Sequence, residues 1–257
     1  MKKILIMLLS TALLLVACNN SSNEEPNKEP AEETNKNEVE IDNNNNQIDE
    51  EKIQYVDFQS AIPAEWQVQL PTNYPIAEDK FLTAKTTTTE NEITFEFYEF
   101  DKEVALDAPN ITDGYYIGQL TVTRYEDELK ADDDVKIQLT LHDDYVADAG
   151  PELIYPFIAG DESVVNWTNN SGWYVFAYSR EKSEQELVEW IKEKDLVSEI
   201  TNGTESGYYP RPQIVGQMHF YADDKTKTFV TWAEKEIVFT LKDFSENTLD
   251  WLHVFSR

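Results

Sequence analysis

An uninterrupted run of apolar and small residues at positions 4–17, preceded by Lys2 and Lys3, most restricts what this chain can fold into. A basic tip, an apolar stretch and small residues before a cleavage point are typical of a secretory signal. At about 1.5 Å per residue, such a short helix cannot cross ~30 Å of hydrocarbon. We therefore expect residues 1–17 to be a signal peptide, so that folding begins downstream.

The run ends in Leu15-Val16-Ala17-Cys18, and Cys18 is the only cysteine in the 257 residues. Leu-Val-Ala-Cys resembles the lipobox of bacterial lipoproteins, in which the thiol is acylated and the chain is cut just before the cysteine. The resemblance implies that Cys18 carries a lipid and anchors the protein to the extracytoplasmic face of the cell membrane. The alternatives are an ordinary signal peptide followed by a stray cysteine, or a short N-terminal membrane anchor.

Residues 18–52 are acidic and rich in asparagine. Between residues 19 and 52, ten residues are Asn and eleven are Asp or Glu against three Lys, and the first aromatic residue is Tyr55. A segment of low hydrophobicity and high net charge cannot bury enough apolar area to offset the entropy lost on ordering. We therefore expect a disordered tether between the membrane and a folded part.

The charge balance of the whole chain excludes one class of partner. It has 21 basic and 50 acidic residues, a net charge of −29, while 40% of its residues are hydrophobic. Binding to nucleic acid depends on Lys and Arg that release counterions from phosphates, so nucleic acid is not an expected partner. With Cys18 carrying a lipid, no disulfide forms within one chain, and the hydrophobic content must supply the core.

From residue 53 onward, alternating apolar residues and turn residues predict a β-rich fold. Strands are expected at residues 65–70, 115–125 and 135–141, a β-hairpin at 81–100, a short helical turn at 125–131 and a long irregular connection at 143–156. We divide this region into an N-terminal β-rich part, residues 53–150, and a C-terminal α+β part, residues 151–257.

Two stretches of the C-terminal part, residues 164–192 and 229–255, each contain a Trp-bearing strand, a turn, a second strand and a helix led by Ser. The matching residues are Trp167 and Trp232, Val175-Phe176 and Val238-Phe239, Ser183 and Ser245, and Leu187 and Leu249. Each Ser is placed to cap a helix, and Glu186 follows Ser183 at the spacing of a capping box.

The pattern indicates either an internal repeat of a strand-turn-strand-helix unit or a common element that occurs twice by chance. An internal repeat would bury Trp167 and Trp232 in equivalent positions beneath their helices. Both interpretations predict an α+β fold with a mostly antiparallel sheet and short helices packed on one face.

The segment containing Trp232, Val238-Phe239, Ser245 and Leu249 resembles the C-terminal segment of uncharacterised cell-envelope lipoproteins of Gram-positive, often spore-forming, bacteria. In these a Trp-bearing strand, a second strand and a Ser-capped helix end the domain. Val68-Gln69-Leu70-Pro71 resembles another of their segments. The resemblance implies an envelope lipoprotein with an α+β domain and brings no catalytic residue with it.

No catalytic motif is present in the sequence. The histidines His142, His219 and His253 form neither HExxH nor a pair with metal-ligand spacing. Neither acidic cluster, residues 132–134 or 143–148, supplies both the Gly and the bidentate Glu of an EF-hand loop. We therefore expect no enzymatic activity, no cofactor and no metal site, while Ca²⁺ binding by the clustered carboxylates stays open.

The loop at residues 207–212 is the best candidate for a recognition surface. It contains Tyr208, Tyr209 and Arg211 between Gly and Pro residues. Exposed Tyr beside Arg is the composition that binding hot spots favour. The alternative is a rigid connector whose tyrosines cover the core.

Together these features predict a membrane-anchored extracytoplasmic lipoprotein that acts as a non-enzymatic binding or regulatory module of the cell envelope. Its partners would be the membrane, through the lipid on Cys18, and an envelope protein or ligand that the sequence does not identify. The alternative is a carrier that encloses a lipid or another hydrophobic ligand within a curved sheet.

Overall fold

The computed structural model describes residues 55–136, 147–148, 152–169, 171–210, 212 and 216–256, and these belong to one compact unit. The strands within these ranges are β1 (Phe81–Thr88), β2 (Glu92–Phe100), β3 (Tyr115–Arg124), β4 (Ala147–Asp148), β5 (Leu153–Ala159), β6 (Glu162–Thr168), β7 (Trp173–Ser179), β8 (Gly216–Tyr221), β9 (Phe229–Glu234) and β10 (Ile237–Lys242). The α-helices are α1 (Glu128–Val135), α2 (Glu184–Glu193), α3 (Leu196–Glu205) and α4 (Thr248–His253). None of these helices is long and apolar enough to cross a membrane.

The ten strands form one sheet in the order β1-β2-β3-β10-β9-β8-β7-β6-β5-β4. Among these pairs only β7 and β8 run parallel, and α2 and α3 supply the crossover that a parallel pair needs. The predicted α+β class, with a mostly antiparallel sheet and short helices, is confirmed. Because β10 pairs with β3, the predicted N-terminal and C-terminal parts share one continuous sheet.

One face of the sheet, here called the inner face, carries the hydrophobic core. Side chains alternate between the two faces of a strand. The register sets one fully buried row across five neighbouring strands, formed by Phe95, Leu120, Leu241, Val230 and Met218. Helices α2, α3 and α4 and the segment of residues 55–76 pack on this face, so the core lies between them and the sheet.

The opposite, outer face is polar in one half and covered by α1 near β9 and β10. Ala131 and Val135 of α1 pack against Ala233 and Val238. Beside them, one row of threonines crosses five strands, formed by Thr87, Thr94, Thr121, Thr240 and Thr231. A sheet that is apolar on one face and polar on the other has a defined register, because a shift by one residue would exchange the faces.

The hairpin predicted at residues 81–100 is confirmed. Strands β1 and β2 pair from Phe81 with Phe100 to Thr88 with Ile93. At the turn, the Thr89 N–H donates to the Glu92 carbonyl at 2.8 Å. The strand predicted at residues 115–125 is β3.

The prediction of a strand at residues 65–70 is wrong. Residues 64–66 form a 3₁₀ turn, Gln67 has a left-handed backbone with φ of 54°, and no strand pairs with this segment among the described residues. Trp66, Val68 and Leu70 are buried alternately, which produced the strand pattern. The backbone of Val68 and Leu70 bonds instead to the Gln59 side chain, which donates to the Val68 carbonyl at 2.9 Å and accepts from the Leu70 N–H at 2.9 Å.

Two predictions in the middle of the chain also need correction. Val135, placed at the start of a strand, ends α1, which runs further than the predicted turn at residues 125–131. Lys136 follows the helix and belongs to no strand, and residues 137–141 of the predicted strand lie outside the described residues. Pro156, taken as the end of an irregular connection, lies inside β5 opposite Val165. A Pro is tolerated there because, within the described part of the chain, β5 is paired on its other side only at Leu153 and Ile154, next to the two-residue β4.

The two matched stretches of the C-terminal part agree in some respects and differ in others. Trp167 and Trp232 are both buried on the inner face, and α2 and α4 lie on that same face. The capping box of Ser183 and Glu186 is confirmed. Ser245, however, does not cap a helix: it lies in a 3₁₀ turn with φ of 53°, and α4 begins at Thr248. The internal repeat stays a prediction.

Candidate functional site

A pocket of about 640 Å³ lies at one end of the inner layer, where the sheet meets the segments that cover it. Four stretches distant in sequence supply its walls: residues 66–68 of the N-terminal segment, the loop after α3 with Gly207, Tyr209 and Pro210, the β9–β10 turn with the start of β10, and Phe255 near the C-terminus. Its volume falls in the range of about 300–1,000 Å³ that small-molecule sites occupy. We call it the end pocket.

The floor of the end pocket is apolar and aromatic. It consists of Trp66, Val68, Ile237, Phe239 and Phe255, each at least nine-tenths buried. Beneath it, the indole of Trp232 stacks on Phe239 with ring centroids 5.1 Å apart and meets the edge of Phe255 at 5.3 Å. The floor is thus the end of the hydrophobic core, and its shape is set by close-packed rings.

Tyr209 forms one wall and is held rigidly in place. Its ring packs against Gly203 of α3, where a Cβ would collide with it. Its hydroxyl donates to the Glu199 carboxylate, one turn earlier on α3, at 3.1 Å. Burial raises the pKa of Tyr209, and the charge and hydrogen bond of Glu199 add to the rise, so the phenol stays neutral and keeps donating.

Two indole hydrogen bonds fix the remaining walls. Trp232 Nε1 donates to Glu234 Oε1 at 3.1 Å, which holds that carboxylate at the boundary between the floor and the rim. Trp173 Nε1 donates to the Pro210 carbonyl at 3.1 Å, which ties the loop after α3 to the start of β7. Both indoles are fully buried, and the bond from Trp173 is buried as well, whereas the bond from Trp232 reaches the half-buried Glu234.

The rim of the end pocket is polar and is shaped by unusual backbone conformations. It is formed by Gln67, Gly207, Glu234, Lys235 and Glu236. Gln67, Gly207 and Lys235 have φ values of 54°, 77° and 55°. Left-handed conformations in residues other than Gly cost free energy and are often found at ligand-binding sites. Here they turn the chain sharply at three points around one opening.

The predicted recognition loop contributes to this pocket through Tyr209, not through Tyr208. Tyr208 is 45% exposed and stacks on His253, with ring centroids 3.5 Å apart. The His253 Nδ1 donates to the Tyr208 carbonyl at 2.6 Å. Arg211, predicted beside them, lies outside the described residues, as does the predicted lipidation site Cys18.

His219 is part of a buried network on the outer face. Its ring lies between Phe229 and Phe176, at 4.2 and 4.9 Å. Gln217 donates its amide N–H to the Val135 carbonyl at the end of α1, so its oxygen faces His219. The His219 Nε2–H donates to that oxygen at 2.8 Å, and Nδ1 accepts from the Tyr178 hydroxyl at 2.9 Å.

Burial lowers the pKa of His219 to about 4, so the ring is neutral near pH 7, as the bonding pattern requires. Both ring nitrogens are engaged, and the arrangement ties α1 to the sheet. His142 lies outside the described residues, and His253 is engaged with Tyr208.

The acidic cluster at residues 132–134 lies within α1. Asp132 is buried, and its carboxylate oxygens have no hydrogen-bond partner among the described residues. Burial raises the pKa of Asp132, and Glu128 and Asp133 add to the rise. Within the described part of the chain, no group of three or more His, Cys, Asp or Glu side chains is placed to hold a metal ion. Of the second cluster, residues 143–146 lie outside the described residues, as does the Asp148 side chain.

Sequence reasoning missed nine of the twelve residues that line the end pocket, namely Trp66, Gln67, Val68, Glu234, Lys235, Glu236, Ile237, Phe239 and Phe255. The four stretches that form it have no shared local pattern, since their proximity follows from the sheet order. The available signals were indirect. One was Trp66 in a segment where apolar and polar residues alternate, and the other was the cluster of Gly, Tyr and Pro at residues 207–212. Neither signal identifies a common site.

Comparisons with known proteins do not supply a family. No protein-family model matches the chain, and neither a curated protein nor a solved structure resembles it closely enough to count as a match.

Proposed function

We propose that this chain is an extracytoplasmic lipoprotein, anchored by a lipid on Cys18, whose folded part is a non-enzymatic binding module of the cell envelope. In this proposal the end pocket takes a small ligand or the side chains of a short peptide. The observation that carries it is the end pocket itself: an aromatic floor and a polar rim, built by four chain segments. Leu15-Val16-Ala17-Cys18 supports the anchor.

The packing of the inner layer favours a binding module over a carrier that encloses its cargo. The space between the sheet and the helices is filled by four Trp side chains, each no more than 1% exposed: Trp167, Trp173, Trp232 and Trp251. A carrier needs an apolar cavity within this layer, whereas the end pocket opens at its edge. A ligand would therefore enter the end pocket without separating the helices from the sheet.

The pocket is tested by ligand-induced stabilisation. A compound that binds the folded chain raises its free energy of unfolding by RT ln(1 + [L]/Kd), so thermal unfolding across a small-molecule library should identify stabilising compounds. Glu236→Trp should narrow the rim and abolish the stabilisation. Glu193→Trp is a matched change at an exposed position of α2, and it should leave the ligand-induced stabilisation intact. If no compound stabilises the parent, or if the stabilisation survives Glu236→Trp, the end pocket is not the binding site.

The anchor is tested separately. Cys18→Ala should block lipid attachment and the cleavage before residue 18. The variant protein should therefore carry no fatty acid. Metabolic labelling with a fatty acid measures this directly. A Cys18→Ala chain that is still cleaved, labelled and membrane-bound like the parent would contradict the lipoprotein proposal.

A further inference from the structure

We propose that a second cavity, between α2, α3 and α4, binds a free amino acid with an apolar side chain. We call this cavity the helix pocket. Its volume of about 250 Å³ is below the ~300–1,000 Å³ of sites for drug-sized ligands, and it suits a molecule the size of one amino acid. The site is distinct from the end pocket, and the inference goes beyond the function proposed above. Two observations carry it: an apolar floor, and charges of opposite sign at the two ends of the pocket.

The floor of the helix pocket is apolar and comes from several elements. Leu196 of α3, Phe220 of β8 and Leu249 of α4 line it, and each is at least nine-tenths buried. The half-buried indole of Trp190, on α2, also lines the pocket. Because the removal of apolar area from water is the main favourable contribution to association, a branched alkyl side chain on this floor would supply much of the binding free energy.

One end of the helix pocket is positive. Lys194, directly after α2, and Lys225 line it together with the carboxylate of Glu246. Lys225 pairs with Glu246 at 2.5 Å and lowers the pKa of that carboxyl, and the nearby charge of Lys194 adds to the lowering. Within the described part of the chain Lys194 itself forms no salt bridge. Its ammonium can therefore receive the carboxylate of a ligand.

The other end of the helix pocket is negative, and its carboxylates belong to Glu199 of α3 and Asp250 of α4. Tyr209 shows that the two lie close together. Its hydroxyl donates to Glu199 Oε1 at 3.1 Å, and the charges of Glu199 and Asp250 add to the rise in its pKa that burial causes. Among the described residues Asp250 has no salt-bridge partner. Its carboxylate can therefore accept from the ammonium of a ligand.

The two signs of charge occupy separate ends of the helix pocket. Both lysines act on the pKa of Glu246 and neither acts on Tyr209, whereas the carboxylates of α3 and α4 act on Tyr209. Near neutral pH a free amino acid carries a carboxylate and an ammonium beside its side chain. The carboxylate matches Lys194, the ammonium matches Asp250 and an apolar side chain matches the floor. Because such a ligand has no net charge, the chain's net charge of −29 does not repel it.

The test compares the binding of four probes by calorimetry: L-leucine, glycine, 4-methylpentanoate and 3-methylbutylamine. The protein is the mature chain carrying Cys18→Ser, which removes the lipid and the need for detergent. Glycine lacks the apolar side chain of leucine, 4-methylpentanoate lacks the ammonium and 3-methylbutylamine lacks the carboxylate. We expect L-leucine to bind about fivefold more tightly than each probe that lacks a charge, and about thirtyfold more tightly than glycine.

Two variants at exposed positions assign the ends of the pocket. Lys194→Gln should weaken L-leucine by about fivefold without weakening 3-methylbutylamine, which has no carboxylate. Asp250→Asn should weaken L-leucine by a similar factor without weakening 4-methylpentanoate, which has no ammonium. Lys192→Gln and Glu193→Gln remove the same charges at exposed positions of α2 that do not line the pocket, and they should not change the binding. If these controls weaken L-leucine as much as the pocket variants do, the assignment to the helix pocket is wrong.

A last variant separates this inference from the proposed function. Glu236→Trp, which narrows the rim of the end pocket, should leave the binding of L-leucine intact. Loss of binding in that variant would place L-leucine in the end pocket and overturn the assignment to the helix pocket. Equal binding of L-leucine and of either probe that lacks a charge would overturn the inference as well, and so would the absence of any L-leucine binding. Neither of these last two results bears on the end pocket.

Discussion

The two hairpin units of the C-terminal part have the same layout but differ in how their strands pair. The first unit is β6, β7 and α2, and the second is β9, β10 and α4. In both, the first strand carries an inward-facing Trp near its end, and the helix lies on the inner face. Trp167 pairs with Val175, eight positions later, whereas Trp232 pairs with Phe239, only seven positions later.

This difference of one residue exchanges the faces of the second strand. Because successive side chains point to opposite faces, the Val-Phe pair that both units share points in opposite directions. Val175 and Phe239 face inward, while Phe176 and Val238 face outward. Phe239 lies in the floor of the end pocket, whereas Phe176 stacks on His219. Equal residues at matched positions therefore have different roles, and the predictions below test how far the two units are equivalent.

The largest expected effect concerns the two tryptophans. Trp167→Ala and Trp232→Ala should each reduce the free energy of unfolding by about 3–5 kcal/mol, because each truncation leaves a large cavity in the core. Denaturant titration measures both. Trp190→Ala, at a half-buried position of α2, is the control and should cost less. If either core variant costs no more than the control, the two tryptophans are not equivalent and the repeat interpretation fails.

The same comparison shows how much of the fold could be predicted. Alternation and turn residues indicated the β1–β2 hairpin, β3 and the class of the fold, because these depend on local pattern. The capping box at Ser183 was also readable, since Glu186 lies within one turn. The segment containing Trp66 was misread because its burial alternates as in a strand, while its backbone partner is the side chain of Gln59.

The site was less predictable than the fold. Tyr209 was singled out by composition and lies in the wall of the end pocket, whereas Tyr208 stacks on His253. Glu234 and Phe255 could not be connected to it, because their proximity depends on the position of β10 beside β9 and on where the C-terminus returns. Such contacts follow from the tertiary arrangement, which local periodicity does not encode.

A smaller effect on stability is expected from pH. It acts through His219, which stacks on the outward-facing Phe176 of the first unit. Burial lowers the pKa of His219 to about 4, below the value of 6.5 for an unperturbed histidine. His219 therefore stabilises the fold fully above about pH 6.5, and this contribution is lost as the pH falls towards 4. Between neutral pH and a pH near 4.5, the loss should be about 2–3 kcal/mol.

The measurement is the free energy of unfolding across this pH range for the parent and for His219→Gln. The variant lacks the titrating ring, so the difference between the two curves isolates His219 from the many carboxylates. Parallel curves for the parent and His219→Gln would show that the ring is not held neutral between Phe176 and Phe229.

The smallest effect compares the serines that precede the two helices. Ser183→Ala should cost about 1 kcal/mol, because the Ser183 hydroxyl accepts from the Glu186 N–H and donates to the Glu186 carboxylate at 2.7 Å. Ser245→Ala should change stability by less than about 0.5 kcal/mol, because that serine does not cap α4. Ser245→Gly should raise stability by up to about 1 kcal/mol, since glycine adopts a φ of 53° without a steric penalty. Thermal and denaturant unfolding of the three variants measure the differences. Equal losses for the two alanine variants would mean that Ser245 caps its helix after all and that the units are more alike than their backbones indicate.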